Sequence, residues 1–278
     1  MSLPVHDVPL DRIIAPGLYN RSLLPEDQCD RLNVVLVSPR NPLNMGAAAR
    51  AMANFGFSRM TVVAPYAPHW REARSAVGAP DVLQNAIATE RLDEAVAECT
   101  LVIGTGSLTY RKPDQRVIRL PDLPPAVAEE LAQGGRIAMV FGPEKHGLTR
   151  EDLSYCHMLV EIPTDPRQPS MNLGQAVAVC LYELAMRASG SHRDTHAAGK
   201  ARAGAASSRL ELLAGVIEQT MAAAEYSPAS MRQANRHDLR VLLRRLALNE
   251  ADTRRVLGLF RRIAWRLKRL PIKEEEAE

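Results

Sequence analysis

Residues 41–50 of this 278-residue chain read NPLNMGAAAR, directly behind the apolar run LNVVLVSP at 32–39. An amide, Asn44, and a guanidinium, Arg50, bracket a patch of very small side chains where a buried strand is expected to end. The amide both donates and accepts hydrogen bonds, and the planar guanidinium fork fits phosphate or carboxylate. Two more clusters follow apolar runs: FGPEKHGL at 141–148, with Glu144 and His146, and IPTDPRQPSMNLGQAV at 162–177, with Ser170 and Asn172. A weaker fourth, GTGSLTYR at 104–111, offers Thr105, Gly106 and Ser107. Open α/β sheets bind ligands outside the carboxyl ends of their strands, and all four clusters fall at such ends.

The elements that must position these residues show in the apolar pattern. Runs at 33–38, 59–65, 99–106, 136–143 and 158–163 are almost continuous Val, Ile and Leu, the habit of parallel strands buried on both faces. Ala-rich helical stretches lie between them, one closed by Gly56 at a helix C-cap. The alternation predicts an α/β fold, a mostly parallel sheet flanked by helices. Its last helix spans 172–189, with Leu173, Val177, Leu181 and Leu184 on one face. Residues 1–30 read as a loosely attached arm, 31–189 as the main domain and the small, polar stretch 190–208 as a linker.

Residues 209–278 contain no strand-like run and read as a small helical domain ending in the acidic tail EEEAE. In its last helix Val256, Phe260, Ile263, Leu267 and Leu270 form an apolar stripe, with Arg255, Arg262, Arg266 and Arg269 in a second stripe beside it. Earlier, Leu239, Leu242, Leu243 and Leu246 interleave with Arg240, Arg244 and Arg245. Between 209 and 273 there are 14 Lys or Arg against 6 Asp or Glu. Arg concentrated on one face predicts phosphate binding by Arg240, Arg244, Arg255, Arg262, Arg266 and Arg269. The alternative is a solvated charged face.

Several chemistries are excluded. The four cysteines (Cys29, Cys99, Cys156 and Cys180) have no C-x-x-C pair, which argues against a zinc site or a disulfide framework and for reduced thiols. No histidine has metal-ligand spacing, so no metal is expected. A P-loop is absent, GTGS lacks the rest of a dinucleotide fingerprint, and no G-x-S-x-G elbow occurs. No apolar run approaches the ~20 residues of a membrane span, and the N-terminus lacks the build of a signal peptide. A soluble cytoplasmic protein without a membrane partner is the expectation.

Taken in order, NMGAAAR, FGPEKHGL and SMNLGQAVAV resemble the three motifs of the SPOUT superfamily of RNA methyltransferases, in its TrmH-like 2′-O-methylating branch. The resemblance covers about residues 31–188 and extends into the tail, where DLRVLLRRLALNEADTRRVLGLFRRI is similar to the helical extension of the TrmJ subgroup. It implies a deep trefoil knot in the C-terminal part of the sheet and a homodimer acting on tRNA at cytidine or uridine 32, with ribosomal RNA as the alternative substrate. A knotted RNA-binding protein without catalysis is the rival of another class. The implied methyl donor is S-adenosylmethionine, held by Thr105, Gly106, Ser107, Gly142, Ile162, Pro169, Ser170 and Met171. The implied catalytic set is Arg50, Asn44, Glu144, Ser170 and Asn172. Within it Asn44 would orient the ribose or cap its helix, Arg50 would clamp phosphate, and Glu144 would anchor motif 2 amides or Asn44. A guanidinium holds its proton too tightly to be a general base, and the resemblance gives His146 no role. Pro143 departs from the subgroup, which often has Arg before the motif 2 Glu.

Overall fold

The computed structural model describes residues 24–187 and 203–269, apart from 67, 68, 74, 77, 107–112 and 227. The first half of the chain runs α1 (Glu26–Cys29), β1 (Leu32–Val37), α2 (Pro42–Asn54), β2 (Arg59–Val63), α3 (Pro80–Gln84), β3 (Ile87–Thr89), α4 (Leu92–Ala95), β4 (Leu101–Thr105) and β5 (Arg116–Arg119). There follow α5 (Pro124–Ala132), β6 (Ile137–Phe141), α6 (Arg150–Ser154), β7 (Met158–Glu161), α7 (Leu173–Arg187), α8 (Ser207–Ala223), α9 (Arg232–Arg245) and α10 (Glu250–Leu267). The seven strands form one sheet in the order β3-β2-β1-β6-β4-β7-β5, and every pairing is parallel.

Both faces of the sheet are covered, as the Val-rich runs require. In β1, Val34 and Leu36 join the core formed with α2, α5 and α7, while Val35 and Val37 join the opposite core with Leu92, Val96 and Leu153. The two strands missing from the sequence reading, β3 and β5, are short edge strands that bury little: only Ile118 is buried in RVIR and nothing in IAT.

Helix α2 follows from local chemistry. Asn41 caps it by accepting from the Leu43 N–H at 3.0 Å, Pro42 fills the first turn, and Met45, Ala48, Ala49 and Met52 face the core. Gly56, at φ +81°, ends it, and the Phe57 N–H donates to Met52 O at 2.9 Å. The small patch permits close crossings. A Cβ on Gly174 of α7 would lie 2.7 Å from Ala47 Cβ, and one on Gly46 would lie 2.7 Å from the Ala76 backbone nitrogen.

Three expectations are corrected. The end of the N-terminal arm is packed, with Leu24 and Cys29 buried; residues 1–23 lie outside the described residues. The last part of the linker is structured too. Ala205 N donates to Leu248 O, Ser207 N to Cys99 O and Ser208 N to Ala97 O, so α8 starts pinned to the α/β body. The stretch 188–202 and the tail from 270, Leu270 included, lie outside the described residues. Finally, α10 buries Thr253, Leu257 and Ala264 most deeply. The proposed stripe lies to one side of that face: Val256 and Phe260 pack against the small helical core, and Ile263 is exposed.

All four cysteines are free and buried. Burial pushes the Cys99, Cys156 and Cys180 thiols up to about 12 and that of Cys29 to about 11, so they are packing groups. His157 joins β7 to β4: its Nδ1 accepts from the Val102 N–H at 3.0 Å, and its own backbone N–H donates to Val102 O. Burial, and then the Arg244 cation, push its pKa down from 6.5 to about 3. The unfolded chain therefore takes up a proton that the folded chain refuses. Stability is full above pH 6.5 and is expected to fall by about 1.4 kcal/mol per pH unit below it, roughly 2 kcal/mol by pH 5. Urea titrations at pH 7 and 5 should show that loss, and a His157→Asn variant should lack most of it.

Candidate active site

The carboxyl ends of β6, β4 and β7, neighbours in the sheet, open onto one cavity of about 510 Å³. Its lining includes Thr105 and Gly106 after β4, Gly142 to Leu148 after β6, and Ile162, Pro169, Ser170 and Met171 after β7. Of the eight residues expected at the cofactor, seven are thus brought together, and Ser107 lies outside the described residues. The volume suits a nucleoside-sized ligand.

The loop after β6 is shaped by its glycines. A Cβ at Gly142 would fall 2.3 Å from the Leu148 nitrogen, so the loop can fold back on itself only there. Gly147, at φ +64°, makes the return, and its N–H donates to Pro143 O at 2.9 Å. Thr105 is buried and spends its hydroxyl on Val140 O at 2.9 Å, tying β4 to β6.

At the cavity edge three distant residues lock together. Asn172 Nδ2 donates to Asn44 Oδ1 at 2.9 Å, and Asn44 Nδ2 donates to Glu144 Oε1 at 2.9 Å. Glu144 also accepts the backbone N–H groups of Arg40 and Asn41 at 3.1 and 3.2 Å. Asn172 Oδ1 meanwhile accepts from Gly174 N at 2.9 Å at the start of α7. Glu144 holds Asn44, as expected, together with its own backbone N–H and those of Arg40 and Asn41 just ahead of motif 1. One expectation changes: Asn41 caps α2, which leaves Asn44 free to bridge the other motifs.

Partial desolvation raises the Glu144 carboxyl, but the Asn44 hydrogen bond and the backbone N–H donors outweigh it, so the pKa lies below the usual 4.5. Such a group stabilises the fold above the unfolded value, and the gain is lost as pH falls through the lower folded value. Glu144→Ala is expected to cost about 1 kcal/mol, a modest figure because the site is open to water. A thermal midpoint that fails to drop would show the lock to be energetically idle.

Arg50 stands apart. It is exposed on α2, absent from the cavity lining, and six residues beyond Asn44, about 9 Å along the helix and on another face. Sequence reasoning missed Glu161, Arg119 and Thr164, which add a carboxylate, a guanidinium and a hydroxyl to the lining. Glu161 and Arg119 end paired strands β7 and β5, and the unrecognised β5 hid Arg119. Among the described residues no group of three His, Cys, Asp or Glu is placed to hold a metal ion, and no helix is long and apolar enough to cross a membrane.

Of the expected RNA-facing arginines, Arg255, Arg262 and Arg266 are exposed on α10, and Arg269 is exposed in the turn just past its end. Arg240 and Arg244 are not: they are 5% and 2% exposed. Both guanidiniums bond to Glu211 at 3.0 Å, and Arg244 Nε donates to Tyr155 O at 2.8 Å. Arg240 lies 4.3 Å from the Tyr155 ring centroid. They latch α9 to the body beside α6 and are unavailable to phosphate, which corrects their assignment as RNA ligands.

A parallel α/β sheet with a cavity at three strand ends and a three-motif lock at its edge defines a protein built to hold a nucleotide-like ligand. The SpoU rRNA methylase family model matches residues 31–182, and the chain belongs to that family. It is 40% identical over 158 residues to the tRNA (cytidine/uridine/adenosine-2′-O-)-methyltransferase TrmJ of Pseudomonas aeruginosa, covering 56% of this chain and 61% of that protein. To the tRNA (cytidine-2′-O-)-methyltransferase TrmJ of Methanocaldococcus jannaschii it is 39% identical over 155 residues, covering 55% and 66%. The chain thus spans somewhat less than two thirds of these relatives. Among solved structures, TrmJ from Z. mobilis superposes with a TM-score of 0.71 at 29% identity, over 83% of this chain and 98% of that one.

Proposed function

We propose that this protein is an S-adenosylmethionine-dependent tRNA ribose 2′-O-methyltransferase, acting on cytidine or uridine 32 in the anticodon loop as a cytoplasmic homodimer. The Asn172–Asn44–Glu144 chain carries the reading, because it ties all three motifs together at the edge of a nucleoside-sized cavity. The named activities of the TrmJ relatives support tRNA as substrate. The trefoil knot belongs to the same proposal, supported by the loops after β6 and β7 closing over adjacent strand ends. Exposed Leu43, Val179, Tyr182 and Met186 on α2 and α7 support the homodimer.

The lining fits the proposed cofactor. Ile162, Met171 and Leu148 offer apolar walls to a purine, and Glu144 and Glu161 offer carboxylates to a cationic sulfonium. When bound, S-adenosylmethionine supplies an electrophilic methyl group. The chain's own work is to align the ribose hydroxyl, hold the neighbouring phosphate and keep water out. Asn44, Ser170 and Asn172 position the ribose side, and Arg50, exposed outside the lining, clamps the neighbouring phosphate. The hydroxyl proton leaves to phosphate or water as the methyl moves.

The test is incubation with isotopically labelled S-adenosylmethionine and either unmethylated tRNA or ribosomal RNA, with methyls mapped by mass spectrometry. Label on the 2′-oxygen of tRNA nucleotide 32 is expected. Label confined to ribosomal RNA would reassign the substrate, and none on either would leave a binding protein. Sedimentation that gives a monomer would remove the homodimer.

A further inference from the structure

On α10 the exposed basic face holds an aromatic ring that phosphate binding does not require. Trp265 is 40% exposed, with Arg262 and Arg269, three residues before and four after, stacked 4.3 and 4.0 Å from its ring centroid. Arg261, Arg262, Arg266, Lys268 and Arg269 have no acidic partner among the described residues, whereas Arg254 and Arg255 earlier on the helix are paired to Glu250 and Asp252. From Thr253 to Lys273 the sequence contains no acid. Gly258, two helical turns before Trp265 on the same face, has open space where a Cβ would sit. Nothing in the packing calls for a glycine there, and it lets a ligand approach the helix closely.

We propose that Arg262, Trp265 and Arg269 form a stacking platform for unpaired nucleobases, so that α10 grips a single-stranded RNA segment. The inference rests on RNA being the substrate and adds which part of it this helix takes. Five unneutralised cations call for a polyanion, and a planar aromatic held between guanidiniums calls for a ligand with flat π-faces. Single-stranded RNA has both, whereas a duplex hides its base faces. A base joins the stack by lying on a guanidinium or by displacing one from the indole.

The chain contains two tryptophans, and the other, Trp70, is 2% exposed. The fluorescence difference between wild type and Trp265→Phe therefore isolates Trp265. A short single-stranded oligouridine is expected to quench that signal, and duplex RNA of equal length to leave it unchanged. Trp265→Ala should weaken oligouridine binding about tenfold with the salt slope preserved, and Trp265→Phe should recover most of the loss. Arg266→Glu should instead flatten the slope, as loss of a phosphate contact does. Absence of quenching, or equal loss on single strand and duplex, would overturn the platform. This outcome is separable from the methylation assay: quenching without methyl transfer sinks the enzymatic reading alone, and methyl transfer by an unimpaired Trp265→Ala variant sinks the platform alone.

Discussion

Arg50→Ala is expected to lower methyl transfer by roughly 100-fold, the cost of misplacing the ribose hydroxyl once its phosphate clamp is lost, while S-adenosylmethionine still binds. The expectation follows from position: Arg50 lies on the exposed surface of α2, outside the cavity lining, so its loss removes a contact to RNA and none to the cofactor. Arg50→Lys should fall between, since an ammonium keeps the charge but not the fork. His146→Ala, within the lining, should retain most activity. Single-turnover transfer and calorimetry with S-adenosylmethionine separate these outcomes. Cofactor binding lost with RNA affinity intact would refute the division of labour, and a His146→Ala loss as deep as that of Arg50→Ala would make the imidazole the base.

Arg244→Ala should destabilise the protein by about 3 kcal/mol, because it leaves Glu211 short of a partner and the Tyr155 carbonyl without its donor. Burial pushes the Arg244 guanidinium down, and the neighbouring Glu211 carboxylate draws it back up. Arg240→Ala should cost less. Either loss leaves Glu211 one guanidinium, but losing Arg240 strands no backbone carbonyl, and one of its own contacts is to the exposed Glu151 at 3.6 Å. Denaturation midpoints measure both, and neither should respond much to salt, since buried pairs are weakly screened. If Arg244→Ala were stable but bound RNA poorly, the arginine would be a phosphate ligand after all.

Such a latch could not be read from the local sequence. In RVLLRRL, Leu242 and Leu246 look like the buried face, yet they are 48% and 54% exposed while Arg240 and Arg244 lie inside. The deciding partners, Glu211 and Tyr155, are 29 to 89 residues away and carry no local signal. The five strands rich in Val, Ile and Leu were legible because burial on both faces leaves few polar positions. β3 and β5 were not, because an edge strand satisfies itself with water. The three motifs were legible as clusters, but the Asn172–Asn44–Glu144 hydrogen bonds were not, since which amide faces which depends on where α2 and α7 cross.

Those hydrogen bonds join residues 100 and 128 positions apart in the chain. On a ribosome adding 5–20 residues per second, roughly 6–25 seconds pass between the appearance of Asn44 and that of Asn172. Through that interval the motif 1 amide lacks its second partner, and a chain released early carries much of the sheet without a closed site. Ligand binding that requires closure would then stabilise finished chains and not fragments, so that the same residues which shape the site also report that translation has passed the third motif.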